Sequence, residues 1–116
     1  MNDRELLELA AKAAGFYVCN DLDHLGLKEW GPGLWVKSEK FGSYELWNPL
    51  ADDGDALRLA ACLRISLLCA ENHTACDIPN TDDYMWEDDT DAAAARRAIV
   101  RAAAAIGAAL SRGAES

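Results

Sequence analysis

Alanine sets the terms on which this chain can fold. Apolar residues occupy 51% of its 116 positions, but 22 of them are alanine, most densely over residues 92–110, and each buries little area. Stabilising burial must then come from a limited set of Leu, Ile, Val and aromatic side chains, which favours helices packed closely on a sheet. A chain of this length holds one hydrophobic core, so a single domain is expected over residues 1–112, with a frayed tail at 113–116.

Periodicity places the elements. Leu6, Leu9, Ala10 and Ala13 form a helical stripe that Asn2 or Asp3 can cap and Gly15 can stop. Phe16 to Cys19 reads as a short extended piece, and residues 20–33 as a loop carrying Asp23 and His24. Leu34-Trp35-Val36-Lys37 and Ser43 to Trp47 both alternate, with Leu34, Val36, Tyr44 and Leu46 available to one face and Trp35 and Trp47 to the other. Bulky groups on both faces predict a sheet covered on two sides. A second helix begins near Asp52, Asp53 and Asp55 and runs to Arg64, with Leu57, Ala60, Ala61 and Leu63 as its apolar positions. Ile65 to Cys69, nearly all apolar, reads as a central strand, and Tyr84-Met85-Trp86 as a short edge strand within a turn-rich segment over residues 71–89. Asp89 or Thr90 then caps a long last helix with Ile99, Ala103, Ile106 and Leu110 on one stripe. The predicted class is α+β: a mixed sheet of three to four strands with helices on both faces. Its centre is Leu34, Val36, Leu46, Ile65 and Leu67, covered by Leu6, Leu57, Ile99 and Ile106.

Charge is unevenly distributed. Between Arg64 and Arg96 stand eight acidic residues and no lysine or arginine, while the rest of the chain is nearly balanced, so most of the net charge of −9 lies in one stretch. An aromatic patch inside a carboxylate run suits a docking surface, in which charge steers the encounter and an aromatic side chain supplies the desolvated contact. The candidate partner-binding residues are Asp82, Asp83, Tyr84, Trp86, Glu87, Asp88 and Asp89. The competing reading makes Asp88, Asp89 and Asp91 a helix N-terminal charge cluster, the remaining acids a solvated face, and at least one of Tyr84 and Trp86 a core residue. Direct nucleic-acid binding is disfavoured, because Arg96, Arg97 and Arg101 follow directly on the carboxylates and are expected to pair with acids.

No catalytic signature is present: there is no nucleophile elbow, phosphate loop or dinucleotide fingerprint. His73 and Cys76, three apart beside Asp77, lack the second ligand pair of a structural zinc site. Asp52-Asp53-Gly54-Asp55 lacks the spacing of a calcium loop and reads as helix capping. Neither metal nor cofactor is expected. Cys19, Cys62, Cys69 and Cys76 lie in apolar contexts, which predicts reduced, mostly buried thiols. With no basic leader and no apolar run near the ~20 residues of a membrane span, a cytoplasmic location without membrane contact is expected.

Two stretches carry a family resemblance: Trp47-Asn48-Pro49-Leu50-Ala51-Asp52-Asp53-Gly54-Asp55-Ala56-Leu57-Arg58-Leu59-Ala60, and Arg96-Arg97-Ala98-Ile99-Val100-Arg101-Ala102-Ala103-Ala104-Ala105-Ile106-Gly107. Together with the opening helix they resemble short proteins of tailed phages and prophages with an α/β/α "phage ABA sandwich" domain. The resemblance implies that sandwich, a bacterial host cytoplasm as setting, and no catalytic residue to carry over. The expectation is a non-enzymatic phage or prophage accessory protein that binds a host or phage protein, with an acidic inhibitor of a host defence or nucleic-acid-processing protein that has a basic groove as one form of that role. The alternatives are a structural homo-oligomeric phage protein, here a homodimer, and a small enzyme with an unfamiliar site.

Overall fold

A computed structural model describes residues 2–19, 33–38 and 42–115. The loop expected over 20–33, with Asp23 and His24, lies outside the described residues apart from Gly33. The elements run α1 (Asp3–Ala14), β1 (Tyr17–Val18), β2 (Leu34–Lys37), β3 (Glu45–Trp47), α2 (Asp53–Leu63), β4 (Leu67–Cys69), β5 (Thr74–Asp77), β6 (Tyr84–Glu87) and α3 (Ala92–Glu115). A helix followed by a three-stranded meander thus occurs twice, and a last helix closes the chain.

The helix boundaries follow from capping chemistry. Asn2 Oδ1 accepts the Glu5 N–H at 2.8 Å, and Gly15, at φ +80°, turns α1 off with its N–H directed back at the Ala11 and Lys12 carbonyls. Asp52 Oδ2 accepts the Asp55 N–H at 2.7 Å to open α2, which ends on Arg64 in the left-handed region. Asp91 Oδ1 accepts the Ala94 N–H at 2.9 Å, so the cap of α3 falls on Asp91 rather than on Asp89 or Thr90. α3 continues past Arg112 to Glu115.

The α+β class matches the expectation, as does helix packing against the strands. The sheet itself differs in layout: the six strands form two separate three-stranded sheets, ordered β1-β2-β3 and β4-β5-β6, and every pairing is antiparallel. Each strand pairs antiparallel with the one next to it in sequence, which leaves none of the parallel neighbours a mixed sheet would contain. In the first sheet Leu34 lies opposite Trp47 and Trp35 opposite Leu46. Leu34, Val36 and Trp47 therefore share the inner face, and Leu46 points away from it, half exposed. This reverses the expected grouping of Leu46 with Leu34, because a one-residue difference in register exchanges the faces of a strand. Phe16 meets Trp47 edge-on at 5.4 Å on the inner side.

In the second sheet the central strand is β5, in the segment expected to be turns, and β4 is an edge. Leu67 is consequently part exposed, and Ile65 is buried just before the strand and outside it. Leu57, expected to cover the sheet, is 69% exposed, whereas Ala56, Leu59 and Ala60 form the buried side of α2.

The core runs between the sheets and helices, with Leu7, Ala10, Ala11, Leu34, Val36, Trp47, Leu59, Ile65, Cys76, Ala98, Ile99, Val100, Ala102 and Ala103 among its members. Here the alanines serve the purpose expected of them. α1 and α3 approach until a Cβ placed on Gly107 would stand 2.0 Å from the Leu9 carbonyl oxygen. Cys19 and Cys76 are buried, but Cys62 and Cys69 are exposed, a correction to the expected burial that follows from the outward side of α2 and the edge position of β4. No helix among the described residues is long and apolar enough to cross a membrane.

Candidate functional site

Strand parity divides the second sheet into two unlike faces. Cross-strand rows place Leu67, Cys76 and Met85 together, and Leu68, Ala75 and Trp86 together. The first row, with Thr74, faces α3: Cys76 belongs to the core, Met85 packs against it, and the Thr74 hydroxyl donates to the Asp89 carbonyl at 2.9 Å. The second row faces away from every described helix. Leu68, Tyr84 and Trp86 are 56%, 61% and 46% exposed on that side. Both aromatic residues are therefore surface groups, and the member of Tyr84-Met85-Trp86 that packs inward is Met85.

The exposed aromatics are held in place. The His73 ring stacks on the Trp86 indole with centroids 3.8 Å apart and planes within 6°, and its Nδ1 lies 2.9 Å from Asn72 Oδ1. The Trp86 Nε1–H donates to Asp88 Oδ1 at 2.9 Å, and Tyr84 stands tilted at 6.4 Å from Trp86. Arg101 approaches from α3, donating to the Trp86 carbonyl at 3.0 Å and to Glu87 Oε1 at 2.9 Å. These contacts fix the indole at both its ring face and its N–H, an arrangement that lowers the rotamer entropy lost on binding. A groove of about 370 Å³ runs along this face between Leu68, His73, Ala75, Asp77, Tyr84 and Trp86.

The predicted contact residues separate into three groups. Tyr84 and Trp86 lie on the open face, and Asp88 joins them through the indole hydrogen bond. Asp82 and Asp83 are exposed in the β5–β6 turn, whose backbone is closed by the Ile78 N–H to the Asp83 carbonyl at 3.0 Å and by Thr81 Oγ1 accepting the Asp83 N–H at 3.1 Å. Glu87 has the parity of Met85 and pairs with Arg101, and Asp89 contributes its carbonyl to Thr74, so these two residues serve the junction of β6 with α3. Among the described residues no lysine or arginine pairs with Asp82, Asp83, Asp88 or Asp89. Two further arginines of the last helix are engaged elsewhere: Arg96 with Asp53 and the Leu50 carbonyl, and Arg97 with Asp3 at 3.4 Å.

Leu68, His73, Ala75 and Asp77 complete the face but carried no local signal, because they join Tyr84 and Trp86 only through strand pairing. His73 and Cys76 fall on opposite faces of the sheet, which separates the only two residues that suggested a zinc pair. Burial, then the neighbouring charges of Asp77 and Cys69, pushes the Cys76 thiol up to about 12, well away from a reactive thiolate near neutral pH. Among the described residues no group of three or more His, Cys, Asp or Glu side chains could hold a metal ion. A second cavity, about 430 Å³, lies beside β3 and α2, where Arg58 is tied to Asp55 at 2.7 Å and Lys37 stands over the Tyr44 ring at 4.7 Å. Its basic groups are thus already partnered.

No family model matches the chain, and neither a curated protein nor a solved structure matches it.

Proposed function

We propose that this protein acts by binding another protein, without catalysis, and that the contact surface is the open face of the second sheet: Leu68, His73, Tyr84 and Trp86, flanked by Asp82, Asp83 and Asp88. The observation that carries the reading is that exposed aromatic row, braced by His73 and Asp88, beside carboxylates that have no basic partner among the described residues. Exposed charges at the rim accelerate association, and a large aromatic group at the centre slows dissociation. The partner's surface is basic. A groove that ordinarily holds nucleic acid has the required sign, so the proposal extends to an inhibitor of a host defence or nucleic-acid-processing protein, acting in the bacterial cytoplasm as the phage resemblance implies.

A homo-oligomeric role is the second reading, favoured by the same face and by the edge strands β4 and β6, which pair with no further strand among the described residues. It is opposed by charge, since two copies meeting at this face would bring their carboxylate rims together. Sedimentation equilibrium of the purified protein separates the two: a monomer at micromolar concentration is expected, and a stable dimer lost on Trp86→Ala would establish the second reading. Affinity capture from a bacterial lysate then tests the first. The wild-type protein should retain a basic partner in a salt-sensitive manner, and the Tyr84→Ala/Trp86→Ala double variant should not. Equal retention by both proteins would refute the assignment of the face.

A further inference from the structure

We infer that the groove over Ala75 is a pocket for one arginine side chain of the partner, a refinement that rests on the binding role proposed for this face. In the row Leu68, Ala75, Trp86 the central strand contributes only a methyl group, so the two edge strands raise bulky walls on either side of a low floor. Tyr84 stands next along β6, and Asp77, its cross-strand neighbour, lines the groove beside it with its carboxylate turned to the Ser66 end. Asp77 Oδ1 accepts the Ser66 N–H at 2.6 Å, which orients the group, and Oδ2 has no hydrogen-bond partner among the described residues.

An occupant of this groove must be apolar along its length to lie over Ala75 and against Leu68. It must be planar towards its end to lie against the Tyr84 phenol and the part of Trp86 that lines the groove beside the stacked His73, and cationic at its tip to meet Asp77. Arginine combines all three properties: an aliphatic stem, a flat guanidinium that stacks on aromatic rings, and paired N–H donors for a carboxylate. Lysine lacks the plane, and an uncharged isostere lacks the charge. The sign of the surroundings agrees, with Asp82 and Asp83 exposed in the adjacent turn and Asp88 beside Trp86. A second copy of this chain would present the same acids, so the donor of the arginine is a different, basic protein.

The test uses four capped pentapeptides, Gly-Ser-X-Ser-Gly with X as arginine, lysine, citrulline or norleucine, titrated into the full-length ¹⁵N-labelled protein. The arginine peptide should shift the amides of Ala75 and Asp77 and the indole N–H of Trp86, and bind about tenfold more tightly than the citrulline peptide, as expected for one charge-assisted contact. Lysine should fall between them. Asp77→Asn should abolish the preference for arginine over citrulline, and Ala75→Val, which raises the floor, should weaken all four. Asp82→Asn/Asp83→Asn should lower affinity at low salt while keeping the arginine-to-citrulline ratio. Equal binding of arginine and citrulline, lysine as tight as arginine, or an unchanged preference in Asp77→Asn would overturn the assignment. If no peptide touches the face while Trp86→Ala still abolishes partner capture, the pocket falls and the binding face stands. If Trp86→Ala also captures normally, both fall.

Discussion

Replacing Gly107 by alanine adds one methyl group at the closest approach of α1 and α3. The new Cβ would stand 2.0 Å from the Leu9 carbonyl oxygen, 2.8 Å from its carbon and 3.2 Å from its Cα, all of them backbone atoms of the facing helix. No side-chain rotation relieves such a contact, so the helices must separate by about 1 Å or more, which loosens the packing of Leu7, Ala10, Ala11 and Ala103 around it. Overpacking of this type costs about 1–3 kcal/mol and occasionally more, while the helix propensity of alanine over glycine returns about 1 kcal/mol. Because the obstruction is main chain the overpacking cost is taken near the top of that range, about 3 kcal/mol, which leaves a net loss of roughly 2 kcal/mol. Gly54 supplies the control. Its added Cβ would meet the end of the Arg58 side chain, which can move, and the capping Asp52 Oδ2, both at 3.2 Å, so the cap has to give by only a few tenths of an ångström. Gly54→Ala should therefore be neutral or stabilising by ~0.5 kcal/mol through the unfolded state. Urea unfolding followed by tryptophan fluorescence, with m unchanged, measures both. The substitution should lower the midpoint at Gly107 and leave it unchanged or raised at Gly54, and a Gly107→Ala protein as stable as the wild type would refute the close-packed α1–α3 contact.

Three further outcomes follow from the geometry. Under native conditions a thiol reagent should modify Cys62 and Cys69 readily and Cys19 and Cys76 only on unfolding; because the Cys76 thiol is raised from 9.0 to about 12 in the fold, stability should be full below pH 9 and erode as pH climbs towards 12, a slope that Cys76→Ala should remove. Thr74→Val leaves the Asp89 carbonyl without its buried donor and should cost about 1–3 kcal/mol in urea unfolding; a neutral result would mean that this bond does not hold the β6–α3 junction. Neutralising Asp82, Asp83 and Asp88 together to Asn should change stability by no more than about 0.5 kcal/mol each, yet slow partner association and flatten its salt dependence in stopped-flow or surface-binding measurements, whereas an unchanged on-rate at low salt would reduce these acids to a solvated rim.

The helices were legible because their signals are local. Asn2 and Gly15 bracket α1, Asp52 opens α2, and Ile99, Ala103 and Ile106 mark the apolar side of α3, all within a few residues of the structure they direct. Sheet organisation was less accessible, because alternation identifies two sets of side chains without saying which set meets which set on the neighbouring strand. Leu46 was grouped with Leu34 on that account, and it is Trp47 that joins Leu34 inside. Thr74 to Asp77 escaped notice as a strand for a different reason. Its Thr, Ala and Cys are small because α3 lies close against one face and the groove occupies the other, so the central strand of the sheet has the least strand-like composition of the three. Of the candidate surface, Tyr84 and Trp86 could be paired by their spacing of two. Leu68, His73, Ala75 and Asp77 could not, since only the β4-β5-β6 pairing assembles them.

The open face is a consequence of how the chain apportions its helices. Two meanders present four sheet faces, and the described helices number three, of which α1 packs chiefly on α3 and α2 lies against both. α3 is the helix that covers the second sheet, and it covers the side of Cys76 and Met85. Among the described residues the far side has no helical layer. A face destined only for solvent is served by Thr, Lys or Glu at its outward positions, as antiparallel sheets with one wet side generally show. Here the outward positions of the edge strands are Leu68, Tyr84 and Trp86, and the indole is braced by His73 and Asp88. Leaving such groups in water forgoes roughly 25 cal/mol for each Å² of apolar area that a covering layer would bury. That cost brings no gain to the isolated fold, whereas it leaves an aromatic anchor available to a partner. On the proposed binding role, the acidic rim would restrict the partner by charge and the low floor at Ala75 would restrict it by shape.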